Sequence, residues 1–488
     1  VSTQTREAMA LKNLVGDAWV SPSRARMLDV MNPASGEVLG RVPLSTAADA
    51  DAAVRAAARA FPTWRATPVV ERARVMFRYK QLLEEHFEEL SRLVSEENGK
   101  TLDEARGEVR RGIEVVEFAC GIPTLMMGSV LDNVARGIDT EMFRAPLGVV
   151  AGICPFNFPA MIPLWMIPVA VASGNTFVLK PSERTPLTGM RLAELLREAG
   201  APAGVINVLH GAKEAVDLLL AHPDVKAISF VGSAPVAEYV YATAAAHGKR
   251  VQALAGAKNH MIVMPDADLD ATVPAIIASA FGNAGERCLA GSVVEAVGDV
   301  ADELVARLAA AASRLRVGPG SDSATEMGPV IRPEHRDRIG RYIEEGVRDG
   351  ARLVCDGRAI PAAGGPGFFI GATVFDAVRP EMSIARDEIF GPVLGVIRVP
   401  TFHEALELVN GAAFGNMAVI FTRSGRTARE FRARVQAGMI GINVGVPAPM
   451  AFFPFAGWKG SFYGDLHATG RDAVEFYTEK KVVTSRWA

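Results

Sequence analysis

Between Ala145 and Leu179 the chain carries no charged side chain, so this stretch must be buried, either in lipid or in protein. It is long enough to cross a bilayer as a helix. However, Pro146, Pro155, Pro159, Pro163 and Pro168 interrupt it, together with Gly148, Gly152 and Gly174. Backbone broken that often would leave unsatisfied N–H and C=O groups in lipid. The run is therefore read as protein interior. It comprises a short strand at Gly148–Ile153, a helix around Ala160–Ala172 and a second strand at Thr176–Leu179. The pattern continues with a helix over Leu187–Glu198, a strand over Val205–Leu209, a helix over Lys213–Ala221 and a strand over Ala227–Phe230. Pro235–Ala245 reads as helix, with Pro235 suited to its first turn. Apolar strands alternating with helices predict a parallel sheet covered on both faces.

A second alternating stretch runs from Met261 to about Val444. It includes a helix over Ala271–Asn283, a strand over Ser292–Ala296 and a helix over Ala301–Leu315. Residues 46–118 read as mostly helical, notably Ala47–Ala60 and Val70–Gly99. Two α/β units thus follow one another in a 488-residue chain. The segments Leu131–Phe143 and Glu475–Trp487 fit neither unit and are expected to form a small sheet that projects outward and pairs between subunits.

A formal net charge of -3 supplies no electrostatic reason for nucleic acid or an anionic membrane as partner. The four cysteines, Cys120, Cys154, Cys288 and Cys355, form no CxxC pair, and no histidine cluster has zinc-ligand spacing. Neither a metal site nor a disulfide framework is expected, which fits a reducing compartment. Val1–Arg24 lacks the apolar core of a secretory signal. The expected location is the cytoplasm, or the mitochondrial matrix if a transit peptide was cleaved upstream.

Four sites have chemistry to offer, each with a plainer alternative. Cys288, in Gly285-Glu286-Arg287-Cys288-Leu289-Ala290, is either a buried structural thiol or a nucleophile; Arg287 beside it is expected to favour the thiolate. Asn157, in Pro155-Phe156-Asn157-Phe158-Pro159, is either a loop amide bonded to nearby backbone or a donor to a developing oxyanion. Lys180-Pro181-Ser182-Glu183 follows a strand, where a solvated turn and a ribose-binding carboxylate look alike. Phe230-Val231-Gly232-Ser233 precedes a helix and is either an ordinary turn or a phosphate site at a helix start. No GxGxxG occurs, so the usual dinucleotide fingerprint is absent.

Taken in order, these four motifs and Glu388-Ile389-Phe390-Gly391-Pro392 resemble the aldehyde dehydrogenase superfamily over nearly the whole chain. The resemblance implies an α/β fold with a Rossmann-like NAD domain (residues 1–127 and 146–255), a catalytic domain (256–445) and a small oligomerisation sheet (128–145 and 470–488). It implies Cys288 as nucleophile, with Asn157 and the Cys288 backbone N–H as oxyanion hole. It also implies an NAD site. There Lys180 and Glu183 hold the adenosine ribose, Glu388 holds the nicotinamide ribose, Phe390 lies near the nicotinamide, Gly232 and Ser233 lie by the pyrophosphate, and Phe156 also binds the cofactor. A dimer or tetramer is expected.

One position departs from the family pattern. Hydrolytic members carry a glutamate that activates the deacylating water, whereas here the stretch reads Leu254-Ala255-Gly256-Ala257-Lys258-Asn259-His260. Leucine cannot accept a proton, so water attack on a thioester loses its general base. A thiol needs less help, and the departure points to coenzyme A as co-substrate. Gly256–His260, Gly285–Ala290 and Gly445–Phe455 are similar to the CoA-acylating branch that takes methylmalonate or malonate semialdehyde to propionyl-CoA or acetyl-CoA. Such aldehydes bear a carboxylate, and the resemblance implies Arg111 and Arg287 as its partners, through bidentate guanidinium contacts. Helical geometry alone does not separate Arg111 from Arg110. The rival readings are a hydrolytic dehydrogenase and a non-catalytic nucleotide-binding relative.

Overall fold

The uncharged run folds into the middle of a twisted sheet. The computed structural model describes residues 9–22, 26–359 and 366–487. Part of the Val1–Arg24 stretch, residues 360–365 and Ala488 therefore lie outside the described residues. Strands β1 (Val149–Ile153) and β2 (Thr176–Lys180) are buried throughout. The helix between them, α1 (Met161–Ala172), has every residue after the first buried. A helix apolar on all sides is one packed on all sides, and this explains the missing charges. No described helix is long and apolar enough to cross a membrane.

The sheet continues with β3 (Ile206–Val208), β4 (Val225–Val231) and β5 (Arg250–Leu254), in the spatial order β3-β2-β1-β4-β5, all parallel. Two antiparallel additions flank it. The strands Asn13–Val15 and Ala18–Val20 extend the β3 edge, and Phe462–Tyr463 covers the β5 edge. Upstream, residues 46–118 are helical as expected, but Val70–Gly99 is two helices that break at His86.

A second sheet begins at β6 (Asn259–Val263) and takes in β7 (Gly291–Val297), β8 (Thr373–Asp376), β9 (Val393–Val399), β10 (Met417–Phe421) and β11 (Met439–Ile442). Its parallel order is β8-β9-β7-β6-β10-β11, with Arg352–Cys355 antiparallel at the β8 edge. Only residues 255–258 join the end of β5 to the start of β6.

The two leftover segments meet. Ile138–Pro146 pairs antiparallel with both Ser129–Ala135 and Thr478–Arg486. Every residue of Ser129–Ala135 is exposed, including Val130 at 72% and Leu131 at 61%.

Candidate active site

Cys288 stands at the N-terminal ends of the second sheet's strands. Helix α2 (Leu269–Phe281) leads into a tight turn in which Asn283, Ala284 and Gly285 all have positive φ, at 50°, 50° and 74°. Left-handed backbone costs a residue with a Cβ roughly 1–2 kcal/mol, so other contacts must hold the turn. The Asn283 N–H donates to Glu104 Oε1 at 2.6 Å. A Cβ on Gly285 would lie 2.3 Å from the Gly391 carbonyl oxygen, so glycine is what lets this turn press against the 388–392 loop.

Among the cysteines, Cys288 alone is partly exposed. Its carbonyl accepts two amides, from Asn259 Nδ2 and Asn416 Nδ2, each at 2.8 Å. Burial pushes the Cys288 thiol up to about 12 and the nearby Glu388 adds to this; the N–H groups of Cys288 and Leu289 and the Arg287 charge offset only part of it. Arg287 acts in the expected direction, favouring the thiolate, but desolvation outweighs the guanidinium and the net shift is upward.

Cys288 lines a largely apolar cavity of about 290 Å³ whose walls also carry Arg111, Arg287 and Trp165. The structure separates the two arginines that helical geometry left open. Arg110 turns outward, bonding Glu84 through both terminal nitrogens at 2.6 and 2.9 Å and stacking over Phe87. Arg111 faces the cavity, where Nη1 donates to Glu114 Oε2 at 2.8 Å and Nη2 donates to the carbonyls of Ala448 and Pro449. Arg287 Nη2 donates to the carbonyls of Ala278 and Ser279. Its Nε is shielded from solvent and has no partner among the described residues.

Asn157 lies off the cavity wall and is 3% exposed. Its Nδ2 donates to the Glu286 carbonyl at 2.9 Å, which ties it to the backbone two residues before Cys288. The amide nitrogen carries two hydrogens, so one remains for another acceptor. A buried pair seats this loop. Lys100 Nζ lies 2.5 Å from Glu108 Oε2, donates to the Asn157 carbonyl at 2.7 Å and sits over the Phe158 ring. Glu108 Oε1 in turn accepts the N–H groups of Ala160 and Met161.

The first sheet's strand order reverses between β1 and β4, and ligands bind outside the carboxyl ends of strands at such a point. There β1 runs into the loop bearing Phe156 and Asn157, and β4 into Gly232 and Ser233. Helix α3 (Ala234–Ala246) starts at Ser233 without a side-chain cap, leaving its first N–H groups open to an anion. Lys180 ends β2 with Nζ 3.1 Å from Glu183 Oε2. Burial raises the Glu183 carboxyl, but the Lys180 charge and local hydrogen bonds outweigh it and hold the group below its usual value.

Across the crevice, Glu388 Oε1 accepts the Ala257 N–H at 2.9 Å, and burial lifts the Glu388 carboxyl to about 7. A Cβ on Gly256 would meet Glu388 Oε2 at 2.6 Å. Phe156 and Phe390 stand edge to face, 5.9 Å apart. Open helix N–H groups and a carboxylate at a strand end fit a dinucleotide. Leu254, the last residue of β5, is 5% exposed, and its carbonyl accepts the Gly232 N–H at 3.1 Å. The carboxylates on the cavity are engaged elsewhere: Glu104 by Asn283 and Thr101, Glu108 by Lys100, Glu114 by Arg111.

Sequence reasoning missed Lys100, Glu104, Glu108, Asn259 and Asn416. Thr101-x-x-Glu104 is a capping-box signature and does cap the helix Leu102–Cys120, but nothing local marks the other four.

The chain belongs to the aldehyde dehydrogenase family, whose model matches residues 19–483. It is 61% identical over 483 residues to malonate-semialdehyde dehydrogenase 1 of Geobacillus thermodenitrificans, covering 99% of this chain and 100% of that one. The solved methylmalonate-semialdehyde dehydrogenase of Oceanimonas doudoroffii is 51% identical and superposes with a TM-score of 0.96, covering 98% of this chain and 99% of the other. A Sinorhizobium meliloti structure assigned to the same enzyme and complexed with NAD is 48% identical, with a TM-score of 0.97 and 99% of each chain covered.

Proposed function

We propose that this chain oxidises malonate semialdehyde and methylmalonate semialdehyde with NAD and passes the acyl group to coenzyme A. The observation that carries this reading is the cavity itself: one small space bordered by Cys288, Arg111 and Arg287. Such a semialdehyde needs a nucleophile at one end and cations at the other. The guanidinium groups supply charge-assisted hydrogen bonds to its carboxylate.

In this mechanism the Cys288 thiol releases its proton to solvent and the thiolate adds to the aldehyde carbon. Asn157 Nδ2 and the Cys288 N–H donate to the oxyanion that forms. NAD, when bound along Lys180, Glu183, Gly232, Ser233 and Glu388, with Phe156 and Phe390 beside the nicotinamide, supplies the hydride acceptor. Cys288 then holds the acyl group as a thioester. The β-carboxylate leaves as carbon dioxide or bicarbonate, the thioester carbonyl takes the electrons, and the carbon is protonated. With leucine at position 254 and the cavity carboxylates engaged, water has no base to activate it. The coenzyme A thiolate attacks instead and frees Cys288. The division into an NAD-binding part (1–127, 146–255), a catalytic part (256–445) and oligomerisation segments (128–145, 470–488) belongs to the same proposal. The exposed valines and leucine of the small sheet support assembly into a dimer or tetramer.

The test is a panel of short aldehydes with and without carboxylates, assayed with and without coenzyme A, with products identified by mass spectrometry. Steady NADH formation should require both a carboxylated semialdehyde and coenzyme A, and should vanish in Cys288→Ala while NAD still binds. Sustained release of free acid without coenzyme A would overturn the acylating assignment.

A further inference from the structure

The peptide that follows the nucleophile is held by two side-chain amides. Asn259 is the first residue of β6, and every polar atom of its side chain is bonded: Nδ2 donates to the carbonyls of Cys288 and Ala290 at 2.8 and 2.9 Å, while Oδ1 accepts the Met417 N–H at 3.1 Å. Asn416, the residue before β10, sends Nδ2 to the same Cys288 carbonyl at 2.8 Å. Two amides from two adjacent strands thus converge on one oxygen, which fills both of its lone-pair positions. Asn259 and Asn416 are 2% and 4% exposed, so water does not compete.

The carbonyl of residue 288 and the N–H of residue 289 belong to one planar, trans peptide and point in opposite directions. Pinning the oxygen therefore aims the Leu289 N–H. The N–H groups of Cys288 and Leu289 are the backbone donors adjacent in sequence to the sulfur. Hydrogen bonds accepted by a carbonyl polarise the peptide and strengthen the bond its N–H makes, by roughly 10–30% per bond.

We propose that Asn259 and Asn416 are positioning residues for the nucleophile, locking and polarising the 288–289 peptide so that its N–H meets the sulfur as a strengthened donor. They touch neither substrate nor cofactor and act through Cys288. The assignment depends only on Cys288 being the nucleophile, not on which aldehyde is oxidised.

The experiment follows alkylation of Cys288 by iodoacetamide from pH 6 to 10 in the full chain. The peptide bearing Cys288 is quantified by mass spectrometry, so that the buried Cys120, Cys154 and Cys355 do not contribute. Asn416→Leu keeps the branched shape, with bulkier methyl ends, and removes the donor. Its alkylation should slow about three- to tenfold at every pH below the thiol's titration, because a lost hydrogen bond to the charged form raises the thiolate's cost. Asn416→Ser, which restores a shorter donor, should recover part of the rate. A folded Asn416→Leu protein whose pH profile superimposes on the wild type would overturn the proposal. If Asn416→Leu does not fold, Asn416→Ser decides on the same terms: slowed alkylation across the profile supports it and an unchanged profile overturns it.

Discussion

Replacing Lys100 with methionine is the sharpest single perturbation the structure offers. Lys100 is 1% exposed, and the Glu108 side chain is fully buried beside it, 2.5 Å away. Lys100→Met leaves Glu108 charged and unpaired in the interior, a loss of about 3–5 kcal/mol when one partner of a buried pair is removed. The Asn157 carbonyl loses its donor at the same time. If the 155–161 loop drifts, turnover should fall, up to the 10²–10³-fold expected when one oxyanion donor is lost, about 2.7–4 kcal/mol. The assay is urea denaturation followed by both circular dichroism and tryptophan fluorescence, with NADH formation measured on the folded protein. The companion is Lys100→Met/Glu108→Gln. It removes both charges yet keeps an oxygen for the N–H groups of Ala160 and Met161, and should recover most of the stability. A single mutant within about 1 kcal/mol of wild type would refute the reasoning, since a buried unpaired carboxylate cannot cost so little. So would a double mutant no better than the single one, because the loss would then not be the stranded charge.

The other predictions concern substrate, water and pH. Arg287→Met should raise KM for malonate semialdehyde about 30- to 1000-fold, the loss of a buried charge-assisted contact worth about 2–4 kcal/mol, while KM for acetaldehyde stays within a few-fold; equal losses for both would deny it a role in carboxylate recognition. Leu254→Glu should give turnover without coenzyme A, with general-base help of about 10²–10⁴-fold available to water, read as free acid by mass spectrometry. Burial lifts Glu388 to about 7, so its carboxylate is lost as pH falls through that value. KM for NAD should therefore climb from pH 8 to pH 6 and flatten in Glu388→Gln; a climb that persists in the variant would assign the titration elsewhere.

Much of the first sheet was legible because its elements are long and apolar. The helices Leu187–Glu198 and Lys213–Ala221 fall on their expected bounds. The helix expected to reach Asn283 instead stops at Phe281, because the left-handed turn before Cys288 is held by tertiary contacts rather than by its own sequence. The strands Asn13–Val15, Ala18–Val20 and Phe462–Tyr463 have two or three residues each, too few for alternation to register. The motifs around Asn157, Cys288 and Glu388 could be seen one at a time, yet their chemistry depends on strands far apart in the chain. Lys100 and Glu108 look like any surface pair; only the fold makes them an interior one. Arg110 and Arg111 differ only by rotation about a helix axis, which a sequence does not display.

The β5 edge of the first sheet is finished by Phe462–Tyr463, and the small sheet by Thr478–Arg486. During synthesis, Arg250–Leu254 must therefore wait with one backbone edge uncovered while some two hundred further residues emerge. A nascent chain stalled or clipped before Phe462 would present that edge to its neighbours, so C-terminal truncations should aggregate rather than persist as half-active fragments. Tags and fusions belong at the other end.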